Sequence, residues 1–125
     1  MSAGDDVAEL LEADDPDFEM VMACVFGVQG REVRTYLTLL DRPGSTVEEL
    51  AREIARDRSN VNRSLSRLLD LDLVRRERRL LDDGGYVYQY TANPLDATKA
   101  RLHDAIDDWV AAVHARIEEF GPTRQ

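Results

Sequence analysis

Six polar side chains between positions 59 and 67 are the residues of this chain best suited to chemistry. They are Ser59, Asn60, Asn62, Arg63, Ser66 and Arg67. A helix over residues 57–71 would gather them on one face, because the apolar residues Val61, Leu65, Leu68 and Leu69 recur along a separate stripe. Arginine can make two hydrogen bonds to a guanine edge, and asparagine can do the same with adenine. The pattern predicts a recognition helix for the DNA major groove. An ordinary solvated helix face is the alternative.

The distribution of charge supports the first interpretation. The chain has a net charge of −9, which repels nucleic acid at long range. Residues 52–79 nevertheless carry nine arginines against five acidic residues, and they form the only basic segment. Lys99 is the only lysine. An acidic, lysine-poor composition resembles that of proteins from salt-loving archaea, in which dissolved salt screens such repulsion.

Composition narrows the class of protein. A chain of 125 residues corresponds to one domain, and it has no run of eighteen apolar residues that could cross a membrane. Residues 1–16 are acidic, lack the features of a signal peptide, and are expected to form a flexible tail. Cys24 is the only cysteine, so an internal disulfide is impossible, and we expect a cytoplasmic protein.

Catalytic and cofactor patterns are lacking in the sequence. It contains no phosphate-binding glycine loop and no spacing typical of a nucleophile with its base. His103 and His114 are eleven residues apart, which does not match the spacing of metal ligands on a helix. The sequence therefore predicts neither an enzyme, nor a bound metal, nor a cofactor, and it gives no indication of a small-molecule effector.

The residues before position 57 predict three shorter helices. Residues 17–26 are apolar and end at Gly27, a residue that commonly caps a helix. Residues 30–40 form the second helix, whose inward stripe is expected to consist of Val33, Tyr36, Leu37 and Leu40. Thr46 followed by Glu49 is a capping box that opens a short helix ending at Ile54. Together with the helix at 58–70, this third helix forms a helix-turn-helix.

The segment after the fourth helix predicts a β-hairpin. Residues 73–80 are extended, residues 82–85 read Asp-Asp-Gly-Gly, and residues 86–91 alternate with a period of two. A hairpin directly after a helix-turn-helix is a wing. The predicted fold class is therefore mainly α with a β-hairpin wing, a winged helix-turn-helix over residues 17–94.

Residues 95–125 predict a long C-terminal helix. Its apolar stripe is wider than a small winged domain can cover, so it should fold back onto the first helix and also pair with a second copy of the chain. We therefore expect a homodimer. The predicted dimerisation residues are Leu102, Ile106, Trp109, Val113 and Phe120.

Residues 27–92 resemble the winged-helix domain of archaeal TrmB-like regulators and, more distantly, that of MarR-type regulators. The resemblance is carried by Gly27, Glu32, Tyr36, Leu39, Leu40, Thr46, Glu49, Leu50, Ala51, Arg58, Ser59, Val61, Arg63, Leu65, Leu68, Leu73 and Val74. It implies a transcription regulator that reads double-stranded DNA with residues 59–69. Full-length TrmB regulators also carry a C-terminal sugar-binding domain, for which this chain has no room, so ligand sensing is not carried over. The acidic hairpin tip argues against deep insertion of the wing into the minor groove.

The predicted DNA contacts fall into two groups. Base contacts are expected from Ser59, Asn60, Asn62 and Arg63. Phosphate contacts are expected from Arg56, Arg58, Arg67, Arg76 and Arg78, and Thr46 completes the predicted interface. The alternative is a winged helix that docks onto the transcription machinery as a protein-interaction module, without reading bases.

Overall fold

Five helices and one antiparallel hairpin make up residues 16–122, the part of the chain that the structure, a computed structural model, describes. The elements in chain order are α1 (Phe18–Phe26), α2 (Gly30–Asp41), α3 (Val47–Ile54), α4 (Arg58–Asp70), β1 (Val74–Leu80), β2 (Tyr86–Ala92) and α5 (Leu95–Glu119). The predicted fold class is confirmed: a mainly helical chain with a two-stranded hairpin and a long C-terminal helix. The predicted tail at residues 1–16 lies outside the described residues, apart from Pro16.

Side-chain caps fix where the short helices begin. The Asp17 carboxylate accepts a hydrogen bond from the Met20 amide at 2.8 Å and starts α1. The predicted capping box of α3 is present: the Thr46 hydroxyl accepts from the Glu49 amide at 3.2 Å, and the Glu49 carboxylate accepts from the Thr46 amide at 2.8 Å. This backbone hydrogen bond lowers the pKa of Glu49. The box therefore stabilises α3 at neutral pH and weakens as the pH falls and Glu49 takes up a proton.

The core lies between α2 and the helices and strands around it. Val33, Tyr36 and Leu39 of α2 are buried, and α4 contributes Val61, Leu65 and Leu68. The prediction for Leu37 was wrong, since 41% of its surface is exposed, and Leu39 is the buried residue instead. The buried side of α2 runs through positions 32, 35, 36 and 39. This face is turned inward because α4 and β2 pack against it.

The wing is joined to the helix-turn-helix by a short bridge. Val74 pairs with Ala92 at its base, and Leu80 pairs with Tyr86 near its tip. The loop that precedes α3 continues the pairing, because the Gly44 amide donates to the Tyr90 carbonyl at 2.9 Å and the Tyr90 amide donates to the Ser45 carbonyl at 2.8 Å. These bonds hold the base of the wing against the start of α3.

The first turns of α5 are anchored to the winged domain. The Tyr36 hydroxyl donates to the Asn93 carbonyl at 2.9 Å and lies 2.7 Å from the Thr98 hydroxyl. The Arg101 guanidinium donates to the Leu71 and Asp72 carbonyls at 2.9 and 3.0 Å. It also lies over the Phe26 ring, 4.9 Å from its centre, where α1 packs against α5. This contact is the predicted fold-back onto the first helix.

Removal of the Tyr36 hydroxyl is expected to destabilise the fold. Tyr36 is fully buried, and burial raises the pKa of its hydroxyl. Tyr36→Phe would leave the Asn93 carbonyl without this donor, at a cost of about 1–3 kcal/mol. We expect the midpoint of thermal unfolding, followed by circular dichroism, to fall by about 3–10 °C. Tyr86→Phe, at an exposed tyrosine, is the control. An unchanged midpoint for Tyr36→Phe would show that this hydroxyl does not anchor α5.

Candidate nucleic-acid interface

The polar face of α4 is open to solvent along its length. Ser59, Asn62, Arg63, Ser66 and Arg67 are exposed, and Asn60 is half-buried. Between Arg58 and Leu69 the helix carries no acidic residue, and the carboxylates lie only at Asp57 and Asp70. The opposite side of α4 is buried through Val61, Leu65 and Leu68. The structure therefore brings the predicted base-contacting residues together on one exposed surface without an intervening negative charge.

A chain of hydrogen bonds orders the first two turns of this face. The Asp57 carboxylate caps α4 by accepting from the Asn60 amide at 2.8 Å, and its second oxygen accepts from the Asn60 side chain at 3.2 Å. The Asn60 side-chain oxygen in turn accepts from the Arg63 guanidinium at 3.1 Å. Arginine has five N–H donors, so this bond leaves Arg63 other donors for a ligand. Asn60 uses one N–H and one oxygen lone pair within the chain, so it keeps one donor and one acceptor for a ligand.

An open cleft of about 360 Å³ separates the start of α4 from the wing. Its walls include Thr46 and Glu48 from the α3 side, Arg58 and Asn62 from α4, and three tyrosines of β2. Within the wall of this cleft Arg58 forms an ion pair with Glu48, with 3.5 Å between nitrogen and oxygen, and both side chains are largely exposed. Thr46 lines the cleft as well, and its hydroxyl serves the α3 cap.

Two predicted phosphate contacts lie at the margin of this surface. One guanidinium nitrogen of Arg67 lies 3.4 Å from the Gly27 carbonyl, so the side chain leans toward the end of α1. Arg56 lies in the turn between α3 and α4, directly after Ala55, and is half-buried. Ala55 has a positive φ of 62°, the conformation that sets the turn of the helix-turn-helix.

The wing divides its four arginines between two faces. Side chains of paired strands that lie directly opposite share a face, so the register places Arg76 and Arg78 with Tyr88 and Tyr90. Arg75 and Arg79 lie on the other face. The sequence analysis selected Arg76 and Arg78 as phosphate contacts but missed the tyrosines as their neighbours. The alternation of arginine on one strand and tyrosine on the other was the available signal, but it became useful only with the register.

The tip of the wing is acidic and tightly turned. Gly84 has a φ of 94°, and the Asp83 carboxylate accepts a hydrogen bond from the Gly85 amide at 3.1 Å. Asp82 and Asp83 are exposed there. Two carboxylates at the tip repel phosphate. Basic side chains that could contact phosphate therefore lie on the strands of the wing and not on its loop.

Residues 16–122 contain neither a metal-binding cluster nor a membrane-spanning helix. Over that range no cluster of three or more histidine, cysteine, aspartate or glutamate side chains could hold a metal ion. None of the helices described there is long and apolar enough to cross a membrane.

Comparison with known proteins gives the family. Residues 22–96, more than half of the chain, match the sequence family described as "Sugar-specific transcriptional regulator TrmB". The chain belongs to the TrmB family. It is also 35% identical to the uncharacterized protein MJ1503 of Methanocaldococcus jannaschii over 103 residues, which cover 82% of this chain and 78% of that protein. The family is one of transcription regulators, which are generally not enzymes.

Solved structures show the same fold. A possible transcriptional regulator from Methanosarcina mazei superposes with a TM-score of 0.74 at 21% identity, covering 82% of this TrmB-family chain and 87% of that one. MarR superposes with a TM-score of 0.52 at 15% identity, covering 88% and 79%. At these identities the likeness concerns the fold, which is that of winged-helix regulators in both cases.

Proposed function

We propose that this TrmB-family protein is a homodimeric, sequence-specific DNA-binding regulator that acts in the cytoplasm. Helix α4 enters the major groove, and the wing contacts the sugar-phosphate backbone. Ser59, Asn62 and Arg63 contact base edges, and Arg58, Arg76 and Arg78 contact phosphates. Asn60 orients Arg63 through their hydrogen bond and keeps one N–H and one lone pair for a base edge.

The exposed face of α4 is the observation that carries this proposal. A solvated face on a chain of net charge −9 would be expected to include acidic residues, yet α4 exposes only serine, asparagine and arginine between its two ends. Arg76 and Arg78 of β1 lie on the wing face whose tyrosines line the cleft, so they extend the basic surface beyond α4. Base-contacting and phosphate-contacting groups are thus available on neighbouring elements, as winged-helix recognition requires.

The exposed half of α5 supports the homodimer. Beyond Trp109, no residue of this helix is buried. Val110 and Val113 are exposed, as are 59% of Ile117 and 90% of Phe120. These side chains continue the apolar stripe through Ile106 and Trp109. Since monomers rarely leave such a stripe in water, pairing with the same stripe of a second copy is the proposed arrangement.

A protein-interaction module remains the second candidate function. The net charge of −9 favours it, because an acidic protein approaches DNA slowly. Under this alternative, the exposed face of α4 or of the wing would dock onto another protein without reading bases.

Selection from a pool of random duplexes separates the two functions. The purified protein is incubated with the pool at several potassium chloride concentrations up to molar levels, and the bound DNA is amplified and sequenced. We expect a motif with two-fold symmetry and half-sites about one helical turn apart. Recovery of unenriched sequence at every salt concentration would favour the interaction module.

Replacement of Glu48 is expected to strengthen DNA binding. Glu48 holds the Arg58 guanidinium at 3.5 Å and places a negative charge in the cleft, so phosphate must compete with it. The pair is largely exposed and therefore weak. We expect Glu48→Gln to raise affinity about two- to fivefold, measured by fluorescence anisotropy with a labelled duplex. Glu53→Gln is the control, because it breaks the Arg42–Glu53 pair at 3.3 Å and removes the same negative charge outside the cleft. Equal gains in both variants would indicate an effect of net charge alone.

A further inference from the structure

The wing has two unlike faces, although both carry two arginines. Arg76 and Arg78 share their face with Tyr86 and Tyr88. The other face carries Arg75 and Arg79 together with Glu77, Gln89 and Val87. The aromatic rings therefore lie beside only one pair of arginines. That pair is on the face whose tyrosines line the cleft next to Arg58 and Asn62.

Arginine and tyrosine form a continuous stack on this face. The Arg76 guanidinium lies 4.2 Å from the centre of the Tyr88 ring, and the Arg78 guanidinium lies 5.1 Å from the centre of the Tyr86 ring. The two rings contact each other edge to face, with 5.4 Å between centres and 74° between planes. Each arginine thus lies over the tyrosine diagonal to it rather than directly opposite it.

Stacking leaves the hydrogen-bonding capacity of these arginines unused. A guanidinium that lies over a ring contacts it through its face, whereas its N–H donors point outward from its edge. Within residues 16–122 neither Arg76 nor Arg78 forms an ion pair with a carboxylate, in contrast to Arg31, Arg42 and Arg58. Both guanidinium groups therefore contact an aromatic ring while their charge stays unpaired by a carboxylate.

We propose that Tyr86 and Tyr88 are positioning residues that hold Arg76 and Arg78 ready for the phosphates of DNA. This inference rests on the proposed function and adds to it how the wing contacts the sugar-phosphate backbone of DNA. A flexible arginine loses side-chain entropy when it binds, and an arginine already held by a ring loses less. The tyrosines raise affinity through the arginines rather than by contacting bases, so the effect is the same for every DNA sequence.

The first test compares leucine with phenylalanine at the two tyrosines. Binding is measured by fluorescence anisotropy on a selected duplex and on an unrelated one. Tyr86→Leu with Tyr88→Leu is expected to weaken both by about five- to thirtyfold, because both arginines lose their support. Tyr86→Phe with Tyr88→Phe keeps the rings and should stay within about twofold of the wild type. Tyr88 also packs against the core, so its replacement could disturb the fold. The single variant Tyr86→Leu, at a side chain that is 51% exposed, is therefore measured as well, because it should bind DNA more weakly without a folding defect.

A double-mutant cycle separates positioning from direct contact. In an Arg76→Ala background, Tyr88→Leu should cause less than about a twofold further loss, because the residue it positions is gone. If the loss is as large as in the wild type, Tyr88 contacts DNA itself and the proposal is wrong. Equal losses for the phenylalanine and leucine variants would also overturn it, because the hydroxyls rather than the rings would then be responsible.

Side-chain dynamics in the free protein give a readout that does not depend on DNA. Order parameters of the arginine Nε–Hε groups, measured by NMR, should be higher for Arg76 and Arg78 than for Arg75 and Arg79. In the leucine variants the order parameters of Arg76 and Arg78 should fall to the level of Arg75 and Arg79. Equal order parameters for all four arginines would overturn the proposal. A wild type that binds no duplex under any condition would refute the proposed function, and with it the role at phosphates, even if the arginines were ordered.

Discussion

Aspartate at Val113 and Ile117 is expected to convert the proposed dimer into monomers and to lower operator affinity about a hundredfold or more. Both side chains are exposed on the part of α5 that leaves the winged domain. Each contributes about 1.5–3 kcal/mol if it is fully buried between two copies, and a carboxylate there would have to be desolvated. A monomer binds one half-site of the operator and lacks the protein–DNA contacts at the other half-site.

These positions are better suited to the experiment than Trp109. Trp109 is half-buried within its own chain, so an aspartate there would confound loss of the dimer with loss of the fold. Val113 and Ile117 are exposed within the monomer, so replacing them should cost little folding free energy. The circular dichroism spectrum and the melting temperature of the variant should therefore stay near those of the wild type. Light scattering reports the mass of the assembly, and anisotropy reports operator binding.

Ala111→Asp with Ala115→Asp is the matched control for the dimer experiment. These alanines are exposed on the same turns of α5, but helical periodicity places them on the side opposite Val113. The variant adds the same charge and should remain a dimer. A wild-type protein that is monomeric at micromolar concentration would contradict the homodimer and leave DNA binding by single subunits as the remaining form of the proposal.

Arg63→Ala is expected to remove sequence preference while the fold survives. Arg63 is exposed, and its contact within the described chain is the hydrogen bond to Asn60, so the free energy of unfolding should change by about 0.5 kcal/mol or less. Loss of a bidentate base contact costs about 1–3 kcal/mol, which lowers affinity for the selected duplex about five- to 150-fold. Affinity for unrelated duplexes should fall much less.

The specific prediction for Arg63 is a loss of discrimination at one base pair. Repeating the duplex selection with Arg63→Ala should relax one position in each half-site and leave the others unchanged. Arg34→Ala removes the same charge from an exposed position on α2, away from the candidate interface, and should retain the wild-type motif. If Arg63→Ala also retains that motif, Arg63 does not read bases, and Asn62 and Ser59 become the residues to test.

Local sequence signals predicted most of the secondary structure. The Thr46–Glu49 capping box, the Gly27 cap and the Asp-Asp-Gly-Gly turn all act within a few residues, and each lies where it was expected. The polar and apolar faces of α4 were also predicted, because one buried stripe leaves the remaining positions exposed. The inward face of α2 was not predicted correctly. Leu37 and Leu39 are both leucines, so periodicity alone did not decide which of the two side chains is buried.

The sequence by itself determined a winged helix-turn-helix with an arginine-rich segment in an acidic chain, because caps, turns and periodic burial depend on neighbouring residues. Only the tertiary structure decided which arginines are free, stacked or paired. The Glu48–Arg58 pair joins two helices, the Arg76–Tyr88 stack depends on strand register, and the Tyr36–Thr98 hydrogen bond joins residues 62 positions apart. These contacts arise from packing between elements, where the distance in space is set by the whole fold and not by the spacing in the chain.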